Sequence, residues 1–541
     1  MKDIDFVSQL AEEIMWSKDT TIELVENRWQ RVYAKRPRSV AEFLIDARRW
    51  SERIHAVQGG IRLTFADHEK AVALVADWMR RNGVGQGTPI AFLARNRLEC
   101  TIAFWAAHCL GAVVVLCNPW WSENEVKLAL ELSTPVMVLC DEETIRHLPD
   151  EINGKSVEDF SSFLNVSEAP PLPQPEITED SPAMVIFTSG TEGTAKGVIL
   201  SQRSVIVNMQ NLLVATNRLS SHLDPEKPQS VTLLTVPLFH LAGIQVVIAS
   251  LHSGARLVYQ AGRFDAAEVL RLIEEEKVTT WGAVPAMVTR VMNHRDFGSR
   301  QLSTLRSIQV GGSAATAGFH QQVRDSFPML KIGGAGSLYG LTEAGGLLAM
   351  ARASDLSKRQ GSVGQLLPVV RVKIDNPDSD GNGEILVQSP GLMSGFLGDG
   401  RSPIDEDGWL HTGDLGHVSD DKFLYLSGRL KEIIIRGGEN ISCSHVEQVL
   451  MSYPGVSEVV VVGLPHGELG EQVGAVIVPM LDAEVSVEQL KEYVLDKLGR
   501  YETPTRWWIR NLPLPTNASG KVVRRHVQRL WQEHGDIDIV E

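Results

Sequence analysis

Apolar residues in this chain gather into short runs, set apart by longer amphipathic stretches. The runs 89–93, 112–116, 136–140 and 183–187 are almost wholly apolar, which predicts strands buried on both faces. Residues 66–82, stopped by Gly83, and residues 99–110 predict helices between them. A short strand is predicted at 63–65 and a further one at 198–200. The alternation resumes at 231–236, 256–259, 279–282 and 305–310, and apolar strands alternating with helices predict a parallel α/β sheet. Residues 1–60 predict charged, amphipathic helix, and the proline-rich run 169–175 predicts a linker between subdomains.

From Val369 the texture changes. Runs 370–374, 383–387 and 423–426 are short and punctuated by Gly, Asn and Asp, which predicts antiparallel strands. After Arg429, strands at 458–462 and 474–478 mix with a helix at 487–498, as in a small α+β domain. No internal repeat of fixed period is present.

A chain of 541 residues exceeds what one hydrophobic core serves, so two or more domains are expected. The net charge of −15 argues against nucleic acid as a partner, and it means that any anionic ligand must be held by local groups. Five scattered cysteines without a Cys-x-x-Cys pair, and a start lacking the layout of a signal peptide, give the expectation of a cytoplasmic protein. The last residues are not a peroxisomal Ser-Lys-Leu, and no apolar stretch is long enough for a transmembrane segment.

The stretch Thr188-Ser-Gly-Thr-Glu-Gly-Thr-Ala-Lys-Gly197 carries the chemistry. Three glycines and four hydroxyls in ten residues, between two apolar runs, suit an anion: glycines turn N–H groups inward, hydroxyls add donors and Lys196 adds charge. It is not a Walker A loop, because Ala195 and Gly197 stand where that motif needs Gly and Ser/Thr. It closely resembles the phosphate-binding signature of the adenylate-forming superfamily, which holds acyl-CoA synthetases, peptide-synthetase adenylation domains and firefly-type luciferases. Glu192 and Ala195 replace that signature's usual hydroxyl residue and proline.

Further motifs follow in that superfamily's order across roughly residues 180–525. Pro237-Leu-Phe-His-Leu-Ala-Gly243 resembles the acyl-CoA synthetase pattern, which implies that His240 lies near the carboxyl group being activated; amino-acid-activating relatives usually carry Asp in this region. Gln309-Val-Gly-Gly-Ser-Ala314 resembles the loop beside adenine, with Gly312 and Ser313 there. Tyr339-Gly-Leu-Thr-Glu343 resembles Tyr-Gly-x-Thr-Glu, which implies Tyr339 and Gly340 at adenine, Thr342 at phosphate and Glu343 as the Mg²⁺ ligand. Gly408-Trp-Leu-His-Thr-Gly-Asp414 implies that Asp414 takes the ribose hydroxyls.

The same resemblance makes Arg429 the arginine for ribose and phosphate, Lys431 the hinge, and Gly437 and Gly438 part of the loop that lines the pantetheine tunnel. In Pro515-Thr-Asn-Ala-Ser-Gly-Lys521, Lys521 matches the lysine that reaches the carboxylate and α-phosphate. Thr188, Ser189, Gly190, Thr191, Gly193, Thr194 and Lys196 are the implied phosphate cradle. Leu338 stands where many relatives have glycine, which implies a narrower acyl pocket, with walls expected from His240, 281–285, 312–315 and Leu338.

The resemblance implies an α/β fold: a large N-terminal domain of doubly wound sheets plus a small β-barrel-like subdomain, residues 1–429, and a small mobile α+β C-terminal domain, residues 430–541. It implies an AMP-forming acid–CoA ligase that uses ATP, Mg²⁺ and coenzyme A on a small-molecule carboxylic acid: fatty, alicyclic or aromatic. The alternatives are an acyl adenylase serving a separate carrier protein and a non-catalytic nucleotide- or acyl-binding protein. The oligomeric state stays open, a homodimer included.

Overall fold

The computed structural model describes residues 19–146, 148–164, 166–189, 195–311, 317–330, 335–359, 361–398, 401–480, 483–495, 497–516, 522–534 and 539–540. Two large sheets share one layer of helices. The first has seven strands in the spatial order 395–396, 195–201, 182–189, 113–116, 89–93, 137–140, 154–156. Its pairings are parallel from 182–189 to 154–156, and antiparallel between 182–189 and 195–201 and again out to 395–396. The second has thirteen strands. Its parallel part runs 335–341, 307–311, 280–283, 231–234, 256–259, 54–58, and antiparallel strands continue the same sheet from 346–351 out to 371–375. The small barrel-like part expected from the sequence is thus hydrogen-bonded directly onto the parallel sheet.

The helices Phe65–Arg81, Leu98–Cys109, Gln202–Ala215 and Leu241–His252 pack with residues of both sheets into one core, which holds Ile90, Val114 and Ile186 of the first and Ala56, Leu234 and Leu257 of the second. The Leu98–Cys109 helix is buried on all sides, as a helix between two sheets must be. Local signals place each element. Thr64 caps the 65–81 helix by accepting from the Asp67 N–H at 3.0 Å, and Gly83, at φ +91°, follows its end. The far face of the second sheet has its own core, roofed by Ala266–Glu275 and Pro285–Met292.

Two expectations are corrected. Residues 20–33 are not helix. They form an antiparallel hairpin, Thr20–Val25 with Arg28–Tyr33, because Glu26 and Asn27 both take positive φ, the geometry of a two-residue hairpin turn, and because β-branched residues fill the first strand. Helix begins only at Ala41–Asp46. The proline-rich run does not link subdomains. It carries the chain from the edge strand 154–156 back across the same sheet to 182–189, with Leu172 packed into the shared core.

After Arg429 the chain builds a six-stranded sheet with cores of its own, which include Ile434, Val461, Ile477 and Trp507 on one side and Trp508 and Trp531 on the other. The helix expected at 487–498 spans Val487–Leu495. Among the described residues, no helix is long and apolar enough to cross a membrane.

The shared core also swallows histidines. His55 and His68 meet edge to face with ring centroids 4.7 Å apart, and neither ring nitrogen of His68 or His108 has a hydrogen-bond partner among the described residues. Burial lowers His55 to about 4, His108 to about 3 and both His252 and His320 to about 4, against an ordinary 6.5. These imidazoles fold neutral and take up protons only on unfolding. Their stabilisation is complete above pH 6.5 and is lost as pH falls from there toward 4. By pH 5 the loss from each is about 2 kcal/mol at most. We expect the urea midpoint to drop steeply between pH 7 and pH 5, above the range where carboxylates titrate. His108→Leu should flatten that slope by up to one proton's share; a midpoint level across this window would contradict the argument.

Candidate functional site

The phosphate-type stretch begins and ends in two paired strands. Strands Pro182–Ser189 and Ala195–Ser201 pair antiparallel, with Thr188 opposite Lys196 and Ser189 opposite Ala195. Gly190, Thr191, Gly193 and Thr194, between these strands in sequence, lie outside the described residues, as do the Ser189 side chain, Gly312, Ser313 and Lys521. Directly opposed residues of a pair share a face, so Thr188 and Lys196 project together. The Lys196 ammonium lies 5.4 Å from the centre of the Phe396 ring.

The second sheet meets this hairpin at Glu343. Strand Ala335–Leu341 ends in a single turn, Thr342–Ala344, and the chain reverses through Gly345 and Gly346 into strand Gly346–Ala351. Gly345 has φ +74°, and a side chain there would run into the Gly391 carbonyl, so only glycine makes this reversal. Thr188 Oγ1 donates to Glu343 Oε1 at 3.3 Å, which joins the two sheets at the carboxylate. Thr342 and Gly340 lie on either side of Leu341 at the open end of this strand, and Gly340 is exposed.

Asp414 sits on strand Leu410–Val418, paired in register with Arg429 of strand Phe423–Arg429. It is 3% exposed and each carboxylate oxygen has one partner: Tyr339 Oη donates to Oδ2 at 2.7 Å and Arg429 Nε pairs with Oδ1 at 2.8 Å, which leaves acceptor capacity on both oxygens. The Tyr339 ring is packed among Leu347, Leu348 and Leu366. Burial first, and then the Asp414 charge, push its phenol well above the usual 10, so it remains a donor. Tyr339, Asp414 and Arg429, expected at separate parts of a nucleotide, form one hydrogen-bonded set.

His240 is the last residue before helix Leu241–His252, with its ring 4.3 Å from that of Phe239. The turn leading to it is held by a residue that motif reading passes over. Asn96 Oδ1 accepts from the Leu238 N–H at 2.9 Å, and its Nδ2 donates to the Val236 carbonyl at 3.0 Å. Gly243 is required because a side chain would strike the Pro237 carbonyl.

The wall assigned to Trp281 is corrected. Trp281 is fully buried in the core on the far face, and its indole donates to Thr235 Oγ1 at 2.9 Å. Period-two alternation turns Gly282 to the opposite face, where an added Cβ would come 3.6 Å from Val246 of the 241–252 helix. On this same face Gly282, Gly311 and Leu338 are half-buried, as is Val246 across from them. Glycine on the sheet and one short side chain on the helix leave a slot at Gly282 that a single Cβ would fill.

Lys431 lies in the single exposed turn Leu430–Glu432 just after Arg429. Gly437 and Gly438, both at positive φ, form the two-residue turn joining strands Ile433–Arg436 and Glu439–Ser442 at the surface. Arg524, at the start of the last long helix, bridges Glu432 and Glu447 and so ties this hinge region to the segment that follows Lys521. Among the described residues no cluster of three metal-binding side chains exists. A lone carboxylate beside a threonine hydroxyl fits Mg²⁺, which keeps waters and substrate phosphates as most of its ligands.

Known proteins resemble the whole arrangement. The model of the AMP-binding enzyme family matches residues 43–397, and that of the AMP-binding enzyme C-terminal domain matches 445–521. The chain is 29% identical over 503 residues to 4-coumarate–CoA ligase 3 of Oryza sativa subsp. japonica, covering 87% of this chain and 88% of that protein. It is 30% identical over 480 residues to a feruloyl-CoA synthase of Amycolatopsis sp, covering 87% and 94%. The structure of o-succinylbenzoate CoA synthetase from Bacillus subtilis in complex with its acyl-adenylate intermediate superposes with a TM-score of 0.76 at 26% identity, covering 91% of this chain and 98% of that one.

The partners of Asp414 give a direct test. Tyr339→Phe removes one of its two donors without emptying the core. The Kd for AMP, read by calorimetry, should rise about fivefold, one hydrogen bond's worth. An unchanged Kd would show that the phenol does not orient Asp414.

Proposed function

The chain belongs to the AMP-binding enzyme family and is an AMP-forming acid–CoA ligase that uses ATP, Mg²⁺ and coenzyme A, and we propose that the small-molecule acid it activates is aromatic. The observation that carries this reading is the likeness to relatives named for 4-coumarate and ferulate, which the match covers over 88% and 94% of their length. No acidic side chain faces the slot among Val246, Gly282, Gly311 and Leu338, so an α-ammonium group would be buried without a counter-charge.

In the proposed first step a carboxylate oxygen attacks the α-phosphorus of ATP, and the bond to pyrophosphate breaks. The barrier is repulsion between anions, and preorganised donors lower it. Thr188 and Lys196 project from the phosphate hairpin, Thr342 adds a hydroxyl, His240 stands at the carboxyl end of the slot and Lys521 reaches the attacking carboxylate. Mg²⁺, held by Glu343, supplies neutralisation of the phosphates. Tyr339 and Gly340 flank adenine, while Asp414 and Arg429 take the ribose. In the second step the CoA sulfur attacks the acyl carbon, the bond to AMP breaks and the thiol proton leaves. We place the domain boundary at residues 429/430 and the hinge at Lys431, so that Gly437 and Gly438 face the site in this half. Five free, buried cysteines fit a cytosolic home.

Two experiments test this. With the full-length chain, kcat/KM for an arylpropenoate should exceed that for a medium-chain alkanoate by about tenfold or more, and free α-amino acids should give no AMP. Preference for the alkanoate would overturn the aromatic assignment. Single-turnover kinetics of the separated halves test the roles. Lys521→Ala should slow acyl-AMP formation by about a hundredfold while CoA attack on supplied acyl-AMP stays within a few-fold. Lys431→Pro, which locks φ and removes a donor, should spare one half and block the other. Equal slowing of both halves by both substitutions would exclude alternation about Lys431.

A further inference from the structure

The helix Gln202–Ala215 follows directly on the phosphate hairpin. Ser204, Asn208 and Asn211, at helical intervals of four and three, make one buried polar stripe along it. Ser204 Oγ donates to the Leu392 carbonyl at 2.9 Å, and the next residue, Met393, donates its N–H to the Glu343 carbonyl at 3.0 Å. Asn211 Nδ2 donates to the Leu347 carbonyl at 3.0 Å, and Asn208 Oδ1 accepts from the Leu347 N–H at 3.0 Å. The stripe thus grips the strand leaving the Glu343 turn and the separate segment that bonds the Glu343 carbonyl.

Asn208 does more. Its Oδ1 also accepts from Gln245 Nε2 at 2.6 Å, and Gln245 belongs to the helix that begins just after His240. One amide oxygen therefore joins the helix behind the phosphate hairpin, the strand leaving Glu343 and the helix beside the acid slot. The strand is shaped to admit it: Gly346 has φ +127°, and any side chain there would collide with the Asn208 amide. Asn208 is 2% exposed and its Nδ2 has no hydrogen-bond partner among the described residues, a cost that an apolar residue of similar size would not carry. A helix packed only for stability has no need of it.

We propose that Asn208 is a positioning residue for adenylation, which through Leu347 and Gln245 holds the Glu343 carboxylate in register with Thr188 and the phosphate hairpin. This rests on the reading of Glu343 as the Mg²⁺ ligand. The test is a double-mutant cycle on the full-length enzyme, following pyrophosphate release over a range of Mg²⁺ concentrations. Asn208→Leu should lower kcat about tenfold or more and raise the Mg²⁺ concentration for half-maximal rate, while the KM for the acid stays within about twofold. In the Glu343→Ala background the same substitution should cost less than about threefold. The same loss in both backgrounds, or an unchanged Mg²⁺ requirement, would overturn the proposal. If Glu343→Ala alone keeps the wild-type Mg²⁺ dependence, the metal reading of Glu343 fails, on a different measurement, and the positioning role fails with it. Should Asn208→Leu not fold, Gln245→Met, which removes one of the two bonds to Oδ1, runs through the same cycle, and an additive loss there overturns the proposal equally.

Discussion

The burial of one helical layer between two sheets is the constraint on which this molecule depends. Helices 98–109, 202–215 and 241–252 are buried on most sides, while 65–81 keeps a charged outer face, and together they tie the first sheet to the second through a single core. Neither sheet holds a site alone. The phosphate hairpin leaves the first and Glu343 leaves the second, and they meet at Thr188 only because the shared layer sets their spacing. A change of volume in that layer is felt at the site, because packed interiors transmit strain.

Electrostatics follow the same logic of local provision. A chain with net charge −15 offers anionic substrates no general attraction. Positive charge and donors are instead brought in at points: Lys196 beside the hairpin turn and Arg429 on Asp414. Structural ion pairs are kept apart from these. Arg36 is fully buried between Glu23 and Glu179, and Arg203 joins Glu179 and Asp180, where the cluster pins the N-terminal hairpin to the chain entering the strand 182–189. Breaking one partner of such a cluster strands a buried charge, so the cluster holds its geometry firmly even where its net stabilisation is small.

The antiparallel part of the second sheet brings together motif residues that are far apart in sequence. Tyr339 and Asp414 stand 75 positions apart and share a hydrogen bond, because strands 335–341, 346–351, 362–366, 423–429 and 410–418 are consecutive neighbours in one sheet. A barrel-like unit hanging free of the parallel sheet would leave Asp414 without Tyr339.

Much of this was legible in the sequence, and for a stated reason. Apolar runs of four or five residues gave the buried strands, and short punctuated runs after Val369 gave the antiparallel ones, because both signals are local. The motif residues Thr188, Glu343, Asp414 and Arg429 stood out as candidates, and the structure pairs Thr188 with Glu343 and Asp414 with Arg429. What the sequence left undecided depends on partners distant along the chain. The face that Trp281 takes follows from which side of its strand meets Thr235. The proline-rich run became a crossing within one sheet because its two strands pair into the same ladder. Asn96 and Asn208 carry no motif, and their partners are backbone groups at Leu238 and Leu347 that only folding brings within reach. By itself the sequence determined the elements and the reactive groups, because these depend on neighbours along the chain. The tertiary structure alone decided which groups meet, because a hydrogen bond or a wall needs both of its sides.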